Sequence, residues 1–141
     1  MAHIAEYLRS KGLPVDIYEP RPTIQSLVSY VQGDRPGRNL VLNGHLDQFP
    51  AGDPQAWSFD PYSGECRDGK ILGRGVGDMK AGTVASLLCL VLVHELEIPI
   101  AGQLTAALVA AAETAVPRTS VPRTSVAMCV TIMDVAMMVE R

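Results

Sequence analysis

The stretch NLVLNGHLD, residues 39–47, places a histidine and an aspartate directly after a short apolar strand. Its first five residues have the compact apolar character of a strand in the middle of a covered sheet. Residues two apart on extended backbone point the same way, so His45 and Asp47 share one side of the strand end. A carboxylate beside an imidazole can fix the tautomer of a metal-binding histidine. The alternative is structural: His45 ends the strand and Asp47 begins a turn.

The surrounding segments alternate between strand and helix patterns. In chain order they are a helix over residues 1–11, strands over 15–18 and 26–31, a polar and aromatic loop over 48–68, a strand over 70–72, a glycine-rich turn over 73–77, an apolar helix over 79–97 and a strand over 104–109. Such an order favours strands joined by crossover helices. We therefore predict an α/β fold with a central mixed sheet flanked by helices.

Composition narrows the class of protein. The 141 residues are 48% hydrophobic and 19% charged, which suits one globular domain, and a net charge of -3 argues against a nucleic-acid partner. The three cysteines are odd in number and have no CxxC spacing, which favours a reducing, cytoplasmic setting. The longest apolar run, residues 81–93, is shorter than the roughly 20 residues that span a bilayer, so we predict a buried helix and no membrane partner. The remaining expectation is a small-molecule or peptide substrate.

A second motif, GRGVGDMK at residues 73–80, leads a glycine-rich turn into the apolar helix. A dinucleotide fingerprint would need a glycine in place of Asp78, and a phosphate-binding loop would need Gly-Lys-Ser/Thr where the chain has Met79-Lys80-Ala81. A carboxylate at this position can bind a cation. The alternative is that Asp78 is the N-cap of the helix. Together with His45 and Asp47, the metal-binding interpretation is favoured.

The two motifs and the loop around Trp57 resemble the M20 zinc metallopeptidase and aminoacylase family over residues 1–114. The resemblance implies that His45 is a zinc ligand, that Asp47 is the catalytic-site residue that orients it, and that Asp78 bridges a pair of metal ions. It also implies a cis peptide bond just after Asp78. The expected cofactor is one or two zinc ions, with cobalt as a substitute, and the expected reaction is hydrolysis of an amide bond in an N-acyl amino acid or small peptide.

One part of the resemblance is incomplete. The family carries an Asp-Glu-Glu run at a later strand end, and the corresponding residues here are Ala111, Ala112 and Glu113. By this resemblance the chain keeps Glu113 as a metal ligand but lacks the glutamate that acts as general base. No histidine follows Glu113 in the sequence to serve as the distal ligand. We expect the chain to be a truncated, weakly active or inactive form of such an enzyme. The alternative is a non-catalytic binding module.

The last part of the chain has a different character. The pentapeptide VPRTS occurs twice in succession at residues 116–125, and a methionine-rich segment follows. A single tandem pentapeptide is too short to indicate a repeat fold. We therefore predict a partial catalytic domain over residues 1–114 and a divergent, poorly ordered tail over residues 115–141.

Overall fold

The computed structural model describes residues 1–110 and 128–130. Its elements are α1 (Ala2–Ser10), β1 (Val15–Arg21), β2 (Ile24–Gln32), β3 (Arg35–His45), a 3-10 helix (Pro54–Ala56), β4 (Glu65–Arg67), β5 (Lys70–Leu72), a π-helical turn (Val76–Lys80), α2 (Ala81–Glu95), β6 (Ala101–Val109) and β7 (Met128–Val130). Among the described residues, five strands form a mixed sheet in the order β1-β2-β6-β3-β7. The predicted α/β class with a central mixed sheet is confirmed.

The parallel pairing of β3 with β6 determines where the ends of these strands lie. α2 connects the two strands, and their register places His45 opposite Val109. The backbone N–H of Leu46 donates to the carbonyl of Val109 at 3.0 Å, which extends the contact past the strand end. The chain therefore leaves β6 at the same edge of the sheet at which it leaves β3.

One hydrophobic cluster joins both helices to the sheet. Leu8 of α1, Leu27 of β2, Leu90 of α2 and Leu108 of β6 are fully buried in it. Complete burial of a leucine side chain stabilises a fold by about 1.5–3 kcal/mol, so these four positions contribute much of the packing free energy. The two helices thus pack through a shared core with the strands that lead to the site.

α2 differs from its prediction in two ways. It begins at Ala81 and not at Met79, because Asp78 and Met79 have non-helical backbone angles. It is also buried on one face only: its outer side presents Val84, Leu88 and Leu92, each about half exposed. The prediction of a buried helix is correct for the face against the sheet and wrong for the outer face.

The segment that contains α2 is long and apolar enough to be considered as a membrane-spanning helix. The segment Val76–Glu95 is apolar enough to cross a bilayer if it is counted as one helix of 20 residues. Its regular α-helical part has 15 residues and is about 22 Å long at 1.5 Å per residue, less than the roughly 30 Å of a hydrocarbon core. The buried residues Ser86, Leu87 and Val91 lie in this regular part. In this fold the segment is the helix that covers the sheet.

A second, two-stranded sheet lies outside the central one. β4 and β5 form an antiparallel hairpin through Asp68 and Gly69, which both have positive φ angles, of 52° and 72°. Positive φ at both central residues is the backbone of a tight two-residue hairpin turn. The predicted loop over residues 48–68 therefore contains a short 3-10 helix and one strand, while the strand predicted at residues 70–72 is confirmed.

The predicted boundary after residue 114 falls outside the described residues. Of the segment at residues 115–141, the structure describes Met128–Val130, which pairs in parallel with β3 as the strand β7. The division into a partial catalytic domain and a divergent tail stays a prediction.

Candidate metal centre

His45 ends β3 with its imidazole largely buried, at 12% exposure. Its Nδ1–H donates to the backbone carbonyl of Asp47 at 3.0 Å, and a carboxylate oxygen of Asp47 lies 3.6 Å from the same nitrogen. A carbonyl can only accept, so this contact places the proton on Nδ1 and leaves the Nε2 lone pair for another partner. The structure therefore brings His45 and Asp47 together as predicted, with the Asp47 carbonyl nearer to the ring than its carboxylate.

Asp78 faces the other nitrogen of the same ring. Its Oδ1 lies 3.3 Å from His45 Nε2, and its side chain is 62% exposed. The peptide bond between Asp78 and Met79 is cis, which confirms the prediction made from the resemblance. Asp78 is not the N-cap of α2, because that position is held by Lys80. The helix-cap interpretation of Asp78 is therefore wrong.

The separation between these two side chains suits a shared metal ion. Two ligands of one tetrahedral zinc, each about 2.0–2.1 Å from the ion, are about 3.3 Å apart. A direct charge-assisted hydrogen bond between an imidazole and a carboxylate would be shorter, at about 2.7–2.9 Å. The 3.3 Å between His45 Nε2 and Asp78 Oδ1 matches the first value, and nitrogen and carboxylate oxygen are donors that zinc accepts. The donor pair therefore fits the ion that the resemblance implies.

Close packing between β3 and α2 holds the site in register. Gly44 precedes His45, and a Cβ at Gly44 would lie 2.6 Å from Thr83 Oγ1 and 3.3 Å from Thr83 Cβ. The buried Thr83 hydroxyl also donates to the carbonyl of His45 at 3.2 Å. The missing side chain at Gly44 thus lets the first turn of α2 approach the strand that carries His45. Sequence reasoning missed Thr83, because a lone threonine in an apolar helix carries no signal for this contact.

Gly44→Ala is expected to lower the free energy of unfolding by about 1–3 kcal/mol, because the new methyl group overpacks the contact with Thr83. Chemical denaturation measures the change. Gly77→Ala is the matched control, since a Cβ there meets no atom within 4 Å and should change stability by only about 0.5 kcal/mol. Equal stability of the two variants would show that the approach of α2 to β3 does not depend on Gly44.

Two side-chain contacts join the loop after β3 to the glycine-rich turn. The Lys80 ammonium donates to the side-chain carbonyl of Gln48, and Arg74 Nε donates to the carbonyl of Phe49 at 2.8 Å. The Lys80 ammonium therefore lies beside the loop that follows His45 and Asp47. Gln48 was missed, because a glutamine at the start of a polar loop is not distinguished by its sequence.

The remaining predicted site residue cannot be placed. Glu113 lies outside the described residues, as do Ala111 and Ala112. Within residues 1–110 and 128–130, no group of three histidine, cysteine, aspartate or glutamate side chains is close enough to hold a metal ion. His45 and Asp78 thus form a pair of possible donors in the described part of the chain, and His45 lies opposite Val109 at the edge of the sheet.

A family model for peptidase family M20/M25/M40 matches residues 41–130, which include His45, Asp47, the motif at residues 73–80 and the strands β6 and β7. The chain belongs to this peptidase family. M20 enzymes are generally metal-dependent, which agrees with the donor pair at the end of β3. The match also includes positions 111–113 and the strand β7.

The names of proteins similar to this chain state different substrates. This chain is 32% identical over 104 residues to an N-formyl-4-amino-5-aminomethyl-2-methylpyrimidine deformylase of Halalkalibacterium halodurans, and the match covers 72% of this chain and 24% of the relative. It is 46% identical over 65 residues to succinyl-diaminopimelate desuccinylase 2 of Ruegeria sp. (strain TM1040), covering 46% and 16%. Human carnosine dipeptidase 1 has a similar structure, with a TM-score of 0.66, 26% identity, and coverage of 80% of this chain and 26% of that one. The chain thus spans about a quarter of these proteins, or less.

Proposed function

We propose that the chain carries the zinc-binding part of an amide hydrolase that acts on N-acyl amino acids or small peptides. The observation that carries the proposal is the 3.3 Å separation of His45 Nε2 and Asp78 Oδ1, with the His45 proton held on the opposite nitrogen. His45, Asp78 and Glu113 would hold zinc, and Asp47 would orient the imidazole. Zinc, with cobalt as a substitute, supplies Lewis-acid polarisation of an amide carbonyl and activation of water.

The roles of the protein side chains follow from their positions. The Asp47 carbonyl holds the His45 ring so that Nε2 points toward Asp78, which preorganises the pair before an ion binds. The largely exposed Asp78 carboxylate leaves one side of the pair open to an incoming ion or substrate. β6 ends with Val109 opposite His45, and Glu113 follows four residues later in the sequence.

The substrate class is proposed from the names of the relatives. A deformylase and a desuccinylase remove an acyl group from an amine, and a dipeptidase cleaves a peptide bond, so each name describes hydrolysis of an amide. An N-acyl amino acid or a short peptide combines these features. We place the protein in the cytoplasm, because the exposed Cys66 and Cys89 are both free thiols.

The chain by itself is proposed to be weakly active or inactive. The resemblance aligns Ala112 with the family's base glutamate, and alanine cannot take a proton from water. The second candidate function is therefore a binding module that retains the metal centre without turnover. It is favoured by the same residue, Ala112.

Zinc titration of the 141-residue chain by calorimetry, together with an amine-release assay on N-acetyl and N-succinyl amino acids, tests these proposals. We expect weak binding of zinc without release of amine above a blank that contains the free metal, because the chain offers at most three protein ligands. Absence of zinc binding would contradict the metal centre. Turnover above the blank would contradict the binding module and support the hydrolase.

A further inference from the structure

The Lys80–Gln48 hydrogen bond connects the two segments that carry the metal ligands. Gln48 directly follows Asp47 in the loop after β3, and Lys80 lies two residues after Asp78 in the π-helical turn. Both side chains are partly buried, so their contact is shielded from water more than a surface pair would be. The bond therefore spans the gap across which His45 and Asp78 face each other.

Gly75 makes room for this bond. Its φ of 77° is in the left-handed region, and a Cβ built on it would collide with Gln48 Oε1 and lie 2.8 Å from Lys80 Nζ. The backbone N–H of Lys80 also donates to the carbonyl of Gly75 at 3.0 Å. The turn thus closes around the Lys80 side chain, and a glycine at position 75 is needed both for the backbone angle and for the space.

We propose that Lys80 is a positioning residue that acts through Gln48 to hold Asp78 at metal-binding distance from His45. This inference rests on the proposed function. Asp78 is exposed and lies on non-helical backbone, so its carboxylate needs an anchor close by in the chain to keep a fixed place. Lys80 provides that anchor because its ammonium is bonded to the segment that contains His45 and Asp47.

Repulsion between the Lys80 charge and the metal ion would change the metal affinity in the opposite direction to a positioning role. An ammonium group near a cation site repels the incoming ion, so loss of the Lys80 charge would strengthen metal binding if charge were its only effect. If Lys80 acts by positioning, its loss weakens metal binding, because the two ligands must then be ordered when the ion binds. The direction of the change in affinity distinguishes the two effects.

The experiment compares the unmodified chain with Lys80→Met, Gln48→Leu and the double variant. Zinc affinity is measured by calorimetry, and the visible spectrum of bound Co²⁺ reports the ligand geometry. We expect each single variant to bind zinc about 10–100-fold more weakly, as for other residues that orient metal ligands. The double variant should be no weaker than either single variant, because both remove the same bond. Lys11→Met is the control for loss of a lysine away from the site, since the exposed Lys11 ammonium pairs with Glu95 at the end of α2.

A measurement without metal separates failure of this inference from failure of the proposed function. In the metal-free chain, Lys80→Met and Gln48→Leu should shift the NMR resonances of the His45 ring and of the Asp78 amide, whereas Lys11→Met should not. Unshifted resonances, or zinc binding that is unchanged or stronger in Lys80→Met, would overturn the positioning role. If the unmodified chain binds no zinc, the proposed metal centre fails, and the resonance shifts still decide whether Lys80 positions Asp78.

Discussion

Replacing His45 by alanine is expected to weaken zinc binding by the 141-residue chain by about 100-fold or more. Loss of a ligand should exceed the 10–100-fold effect of losing a residue that only orients one. His45 is also the residue that Asp47 and Asp78 both face, so its removal eliminates a donor and the contact between the two motifs. Isothermal calorimetry with zinc measures the loss.

The matched control for this variant is His3→Ala. His3 is an exposed histidine of α1, so its removal tests whether surface imidazoles contribute to the measured binding. Affinity that is unchanged in His45→Ala, or that falls equally in both variants, would show that zinc binds elsewhere. Denaturation of both variants establishes that each is folded at the temperature of the titration.

Replacing Ala112, which the resemblance aligns with the base glutamate of the family, by glutamate is expected not to restore turnover. Loss of a general base costs on the order of 10²–10⁴-fold in rate, so Ala112→Glu would be a large gain if the base were the only missing element. The chain has no histidine after position 94, so the distal ligand of the resemblance is absent from it as well. A base without a fully ligated metal pair lacks a sufficiently acidic water to act on.

An amine-release assay with added zinc compares Ala112→Glu with Ala111→Glu, which adds the same charge one position earlier. Both variants should stay at the free-metal blank. Turnover in Ala112→Glu alone would mean that the metal site is sufficient and that only the base is missing. Turnover by the unmodified chain would show that position 112 does not hold the base, and the alignment of Glu113 with the family's ligand would then be wrong.

The elements that sequence reasoning identified are those with strong local signals. The apolar run before His45 and the alternation of segments predicted the central sheet, and β5 is found at the predicted residues. The pairing of His45 with Asp47 followed from strand geometry alone. The proximity of Asp78 to His45 was predicted only from the two motifs taken together, because no local sequence signal indicates that these residues are close in space.

The parts that were missed depend on signals of other kinds. The hairpin of β4 and β5 has an Asp68-Gly69 turn, a strong short-range hairpin signal, but its three-residue strands are too short to show a clear apolar alternation. The later start of α2 depends on the backbone around Asp78, which helix propensity does not describe. The contacts of Thr83 with Gly44 and of Lys80 with Gln48 are tertiary, and no pattern along the chain encodes them.

The parallel register of β3 and β6 joins two strands that are far apart in the sequence. The chain leaves both strands at one edge, and the segment between them contains β4, β5 and α2. Contacts between residues so distant in sequence carry a loop-closure cost and form slowly. An ion held by His45 and Asp78, which meet only in the folded chain, would therefore bind the native state in preference to the unfolded chain, and its binding free energy would add to the stability of the fold. Metal supply would in this way govern how much of the protein is folded.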